Sequence, residues 1–114
     1  MANNKWIEVY DNEHTHMFPV KNITDVIRDI KYENERTHYM VAVIVADKAG
    51  VMEYIWRYRS EVDAYNLYKT IKEVILDTYE SDIYYVHDSV YHMKPIDQGG
   101  CYDKGTTLRR NNRP

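Results

Sequence analysis

The chain has 114 residues, of which 44% are hydrophobic and 29% charged, with a formal net charge of −3. These totals describe a single globular domain able to bury roughly two thirds of its unfolded surface, and they exclude a disordered or disulfide-dense chain. With Cys101 as its lone cysteine the sequence has no disulfide framework, no zinc quartet and no Cys-x-x-Cys redox pair.

The charge is uneven. Residues 94–114 hold Lys94, Lys104, Arg109, Arg110 and Arg113 against Asp97 and Asp103, a local +3 that leaves −6 on residues 1–93. A basic tail on an acidic body suits a local anion site better than a coat for a long nucleic acid. Twelve tyrosines accompany a single phenylalanine. Tyrosine joins a large apolar face to a polar tip, so it suits half-buried surfaces and interfaces where rings stack. The N-terminal stretch MANNKWIEVY carries no apolar core of a leader, and no run approaches 18 apolar residues. A soluble, cytoplasmic protein is the expectation.

In chain order, KWIEVY (5–10) alternates, with Trp6, Glu8 and Tyr10 opposite Ile7 and Val9, and predicts a strand. Ile23, Val26, Ile27 and Ile30 fall at i, i+3, i+4 and i+7, and Asn22 or Thr24 can cap a helix start. That spacing predicts a short amphipathic helix over 22–30. YENERTH (32–38) reads as a polar connection. The β-branched run YMVAVIVAD (39–47) predicts a central strand, and Asp47–Gly50 a turn. VMEYIWRYRS (51–60) alternates strongly, placing Met52, Tyr54, Trp56 and Tyr58 on one face and Val51, Glu53, Ile55, Arg57 and Arg59 on the other. Ser60-Glu-Val-Asp63 has the form of a capping box. It opens a helix predicted to run to about Tyr79, with Ala64, Leu67, Tyr68, Ile71, Val74 and Ile75 as its apolar stripe. Residues 82–93 read as two short strands around His-Asp-Ser, ended by Pro95. The expected fold class is therefore α+β: a mostly antiparallel sheet with two helices packed on it and short C-terminal strands. Residues 1–114 form one domain, with 1–93 as the body and 94–114 as a Gly-rich basic segment.

Enzyme constellations are weakly represented. His14-x-His16 invites a metal with His38, His87 or His92, but no carboxylate spacing supports it. Cys101, beside Gly-Gly and near Lys104, invites a nucleophile of lowered pKa, but a lone intracellular cysteine is more often inert, and no GxSxG, phosphate-loop or dinucleotide-binding glycine motif is present. The sequence predicts a protein that is not an enzyme and needs neither metal nor cofactor.

Two stretches carry binding chemistry. In GGCYDKGTTLRR (99–110), Gly99, Gly100 and Gly105 can turn backbone amides inward as an anion-binding nest, Thr106 and Thr107 add hydroxyls, and Arg109 or Arg110 supplies a fork for phosphate oxygens. A solvated basic tail fits the same residues. On the aromatic strand, Arg57 and Arg59 lie beside rings, an arrangement that offers a nucleotide charge for its phosphates and a surface for its base. Pairing with Glu53 and solvent is the plainer alternative.

A short, Tyr-, Asn- and Lys-rich chain of this outline resembles accessory proteins of phages. Its Arg28, Arg57 and Gly-Thr-Thr-Leu-Arg109 are similar to what is expected of the first family of Thoeris anti-defence proteins. The resemblance implies a sponge that sequesters a cyclic nucleotide immune signal, glycocyclic ADP-ribose and also cyclic trinucleotides, without degrading it in the infected host cell. It further implies a homo-oligomer, a dimer or hexamer, with pockets between subunits. Arg109, Thr107 and Gly105 would then hold the pyrophosphate, Tyr102 or Tyr91 would stack on adenine, and Arg28 with Arg57 would form a second anion site. A phage inhibitor that binds a host defence protein directly, as anti-CRISPR proteins do, is the alternative, although −6 is a modest charge for nucleic-acid mimicry.

Overall fold

The computed structural model describes residues 4–11 and 13–96. Seven strands and one helix follow in the order β1 (Trp6–Tyr10), β2 (Thr15–Pro19), β3 (Ile23–Glu33), β4 (Arg36–Asp47), β5 (Gly50–Tyr58), α1 (Glu61–Ile75), β6 (Ile83–Tyr85) and β7 (His92–Ile96). They form two sheets, one of order β2-β1-β6 and one of order β3-β4-β5-β7. Within the described residues 54% are strand, and the expected pair of helices on one sheet is replaced by one helix and two sheets.

The segment predicted as a first helix is the edge strand β3. Its helix-like spacing comes from a strand with a bulge. Ile23 pairs with Val45, the register then slips past Thr24, and Val26 pairs with Val43. The extra residue returns Ile23 and Val26 to one side of the sheet, whereas Ile27 falls on the other. Four of the nine residues from Asn22 to Ile30 are Ile or Val. Their stiff χ1 angles favour a pleated surface over a helix. The polar connection shrinks to the pair Asn34-Glu35, both with positive φ (52° and 61°). These are the backbone signs of a type I′ hairpin turn, and strand pairing runs right up to it through Glu33 and Arg36.

Strand β5 sets the layering. Tyr54 and Trp56 are buried on one face. Phe18 of β2 stacks on Tyr54 with ring centroids 5.0 Å apart, and Trp56 lies 6.5 Å from Tyr54 on the same strand. The indole N–H of Trp56 donates to the Asp88 carbonyl at 3.1 Å, tying down the connection between β6 and β7. Against this face pack α1, through Ala64, Leu67, Ile71 and Val74, and the small sheet, through Ile7, Val9 and Phe18. The core therefore lies between one face of the large sheet and a second layer made of α1 and the small sheet.

Helix α1 begins where the capping box predicts, with the Ser60 hydroxyl accepting the Asp63 amide at 3.4 Å. It stops at Ile75, earlier than the expected Tyr79, because Asp77 takes a left-handed φ of 63°. Pro95 does not terminate the C-terminal strands but sits inside β7, an edge strand where a missing amide is tolerated. No helix among the described residues is long and apolar enough to cross a membrane.

Two substitutions test this architecture by urea unfolding. Trp56→Ala removes the largest fully buried side chain and is expected to cost about 3–5 kcal/mol. Glu35→Gly relieves a left-handed glutamate in the hairpin turn and is expected to gain about 1 kcal/mol. No gain at Glu35 would contradict the turn.

Candidate anion site on the open sheet face

The alternation that buries Tyr54 and Trp56 sends Glu53, Ile55 and Arg57 to the opposite face of the large sheet. Register places Met40 beside Arg57 and Ala42 beside Ile55, so His38, two residues before Met40, shares that face. No described element covers it.

At one end of this face Arg57 is half-buried, and among the described residues its side chain bonds to His38 and Tyr91. Its Nε donates to His38 Nδ1 at 3.3 Å and its Nη1 to the Tyr91 hydroxyl, while Nη2 lies 3.3 Å from His38 Nε2. The guanidinium carbon sits 4.7 Å from the centre of the Tyr91 ring. His38 is 6% exposed and Tyr91 57%. Among the described residues no carboxylate lies within 4.0 Å of Arg57. The ion pairs found there join Lys5 to Asp77 and bring His14 and His16 near Asp11. A partly desolvated cation with such partners attracts an anion, and the planar fork of arginine fits the oxygens of a phosphate.

The other residues singled out in the sequence fall elsewhere. Arg28 lies over Tyr65 and Tyr68 of α1, its guanidinium carbon 5.3 Å from each ring centre. It pairs with Val41, and Val41 with Trp56, so it belongs to the helix side of the sheet. Arg28 and Arg57 thus face opposite ways, and the structure does not bring them together as a second anion site. Arg59 lies past the end of β5, so the basic stripe reduces to Arg57. Tyr102, Gly105, Thr107 and Arg109 lie outside the described residues, as do Cys101 and the rest of the Gly-rich stretch. Among the described residues no group of three or more His, Cys, Asp or Glu side chains is placed to hold a metal. His38, the member of the cluster that sequence reasoning assigned to a loop, was signalled by the period-two pattern of β4 continuing backwards to Arg36.

Two clefts that border β5 lie away from Arg57. The larger, about 610 Å³, opens at the far end of β5 and is lined by Met17, Phe18, Met52, Tyr54, Pro95 and neighbours. Asp47 is the charged residue in its wall, so it offers room to an apolar group and no cationic partner for a phosphate. The second, about 390 Å³, lies between α1 and the 84–88 segment. There the Tyr58 hydroxyl donates to Asp88 Oδ2 at 2.9 Å. Burial, reinforced by that hydrogen bond and the nearby Asp88 charge, pushes the Tyr58 phenol well above its ordinary 10.0. With Asp63 and Asp88 in its wall this cleft repels anions, and the cluster around Arg57 remains the better candidate although it lies on an open surface.

In comparisons with known proteins, no family model, no curated protein and no solved structure matches the chain.

The tyrosines yield a pH prediction. Burial also raises Tyr54 and Tyr84. A group whose pKa rises on folding contributes stability that is complete below its unfolded value and is lost as pH climbs past it towards the folded value. Unfolding free energy should therefore hold steady up to about pH 9 and fall steeply beyond about pH 10. Tyr58→Phe should flatten that fall; an unchanged slope would show that Tyr58 ionises freely in the folded state.

Proposed function

We propose that the protein is a binding protein, not an enzyme, for a small phosphate-bearing nucleotide, and that it holds a cyclic nucleotide signal unmodified, as the resemblance to phage anti-defence sponges implies. The single observation that carries this is Arg57, half-buried on an open sheet face, without a carboxylate partner among the described residues and lying over an exposed tyrosine ring. Its fork supplies charge for phosphate oxygens, and the free side of the Tyr91 ring supplies a surface for a base. His38, held against Arg57, adds a polar ring to the same wall. A long nucleic acid is disfavoured, since the chain is acidic with a pI near 5.9.

A thermal-shift screen with cyclic ADP-ribose isomers and cyclic di- and trinucleotides tests the proposal. Ligand at one hundred times its Kd adds roughly 2.7 kcal/mol, or on the order of 10 °C for a domain of this size. Arg57→Ala removes one charge-assisted contact and should weaken binding about tenfold to a hundredfold, whereas Arg28→Ala, on the other face, should leave it unchanged. The ligand should be recovered intact. A flat screen, or equal losses from both arginine variants, would refute the site.

A further inference from the structure

The least protected backbone of the described structure is the outer edge of β3. Eleven residues long, it pairs with β4 on one side and with no described strand on the other. It also displays Ile27, Ile30 and Tyr32, which are 39%, 61% and 69% exposed. Long apolar edges invite another strand, and folded proteins usually blunt them.

Which amides point outward is set by the hairpin. Glu33 and Arg36 flank a two-residue turn, so they form a hydrogen-bonded pair, and bonded pairs recur at every second residue. Lys31, Asp29 and Ile27 therefore bond to β4, while Tyr32, Ile30, Arg28 and Val26 turn their backbone groups outward. Ile30 shows the consequence: its amide donates to the Asp29 carboxylate at 2.8 Å instead of to a strand. The side chain next door is standing in for a missing strand neighbour.

We propose that the missing neighbour is β3 of a second copy of this chain, paired antiparallel about a two-fold axis at Ile30. Charge complementarity and length of overlap together select this occupant and this register. Centring the pairing on Ile27 sets Asp25 against Asp29. Centring it on Arg28, Asp29 or Lys31 sets that charge against its own copy. Centring it on Val26 opposes no opposite charges, and centring it on Tyr32 overlaps only residues 31–33 of the two strands. Centring it on Ile30 overlaps residues 27–33, opposes Asp29 to Lys31 of the partner subunit, twice by symmetry, and brings no like charges together within that overlap. Arg28 then lies opposite Tyr32 of the partner subunit, and the two exposed Ile30 side chains meet on the helix side. All of these outward residues keep the hydrogen-bonding parity that the free edge requires. Asp29 exchanges the Ile30 amide for a lysine, and the amide exchanges a carboxylate for a backbone carbonyl. The two four-stranded sheets become one eight-stranded sheet whose two Arg57 sites lie on the same side. This inference does not depend on the nucleotide reading.

Sedimentation equilibrium of the full chain tests it. Wild-type protein should be dimeric at about 100 µM. Lys31→Asp, an exposed change on the edge, should raise the dimer dissociation constant at least about tenfold by facing two aspartates. The double exchange Asp29→Lys/Lys31→Asp should restore dimerisation, because each swapped residue meets the other's swapped counterpart. Circular dichroism and melting at low concentration check that each variant folds, and Ile30→Pro gives a second probe, blocking the outward amide without removing a β3–β4 bond. A monomeric wild type would overturn the proposal. So would a dimer indifferent to Lys31→Asp and Ile30→Pro, or one that the double exchange fails to restore.

Discussion

Burial of the Trp56 indole organises most of this molecule. With Tyr54 and Phe18 it forms a continuous aromatic layer between the large sheet and the small one, and its N–H reaches the Asp88 carbonyl to place the segment that carries Tyr91. Strand periodicity does the rest. Once position 56 is inside, position 57 must be on the opposite face. Arg57 therefore stands on an open surface because its neighbour is the largest fully buried side chain, and Tyr91 meets it there because Trp56 anchors the chain at Asp88. Core and candidate site are two outcomes of one alternation.

The strong alternations were readable from residues alone. KWIEVY and VMEYIWRY have period two with unmistakable aromatic faces, and the run 39–47 is too long and β-branched to be anything but a buried strand. The stripe of α1 and its Ser60 cap were equally plain. What could not be read was β3. A bulge shifts its pattern by one residue, and a shifted period-two pattern of Ile and Val coincides with a 3.6-residue pattern over the few residues present. The hairpin turn was hidden for a related reason: Asn34-Glu35 adopts a backbone that sequence rules assign to Asn-Gly, and only the packed strands on either side force a glutamate into it.

The candidate site was half legible. Arg57 stood out because an arginine beside a buried aromatic face needs an account of its charge, whereas Tyr91 was named only as one of two stacking rings that the resemblance implied. Their meeting depends on β5 pairing with β7, a contact between distant parts of the chain that no local pattern encodes. Arg28 lies on β3, the segment misread as a helix. On a helix it would have pointed independently of the sheet, whereas on the strand it is locked to the side of Val41 and Trp56, over the rings of Tyr65 and Tyr68. The pairing of Arg28 with Arg57 came from the resemblance and not from the helix, and the two side chains lie on opposite faces of the sheet.

Where a phosphate-bearing ligand touches the protein is the decisive question. Side-chain NMR answers it directly, by monitoring the Arg57 Nε–Hε resonance and the Tyr91 ring protons as cyclic ADP-ribose isomers or cyclic trinucleotides are added. A site built on Arg57 and Tyr91 predicts saturable shifts at both, with the Arg28 side chain silent. Shifts confined to the apolar cleft of Met17 and Met52, or to Arg28, would contradict it.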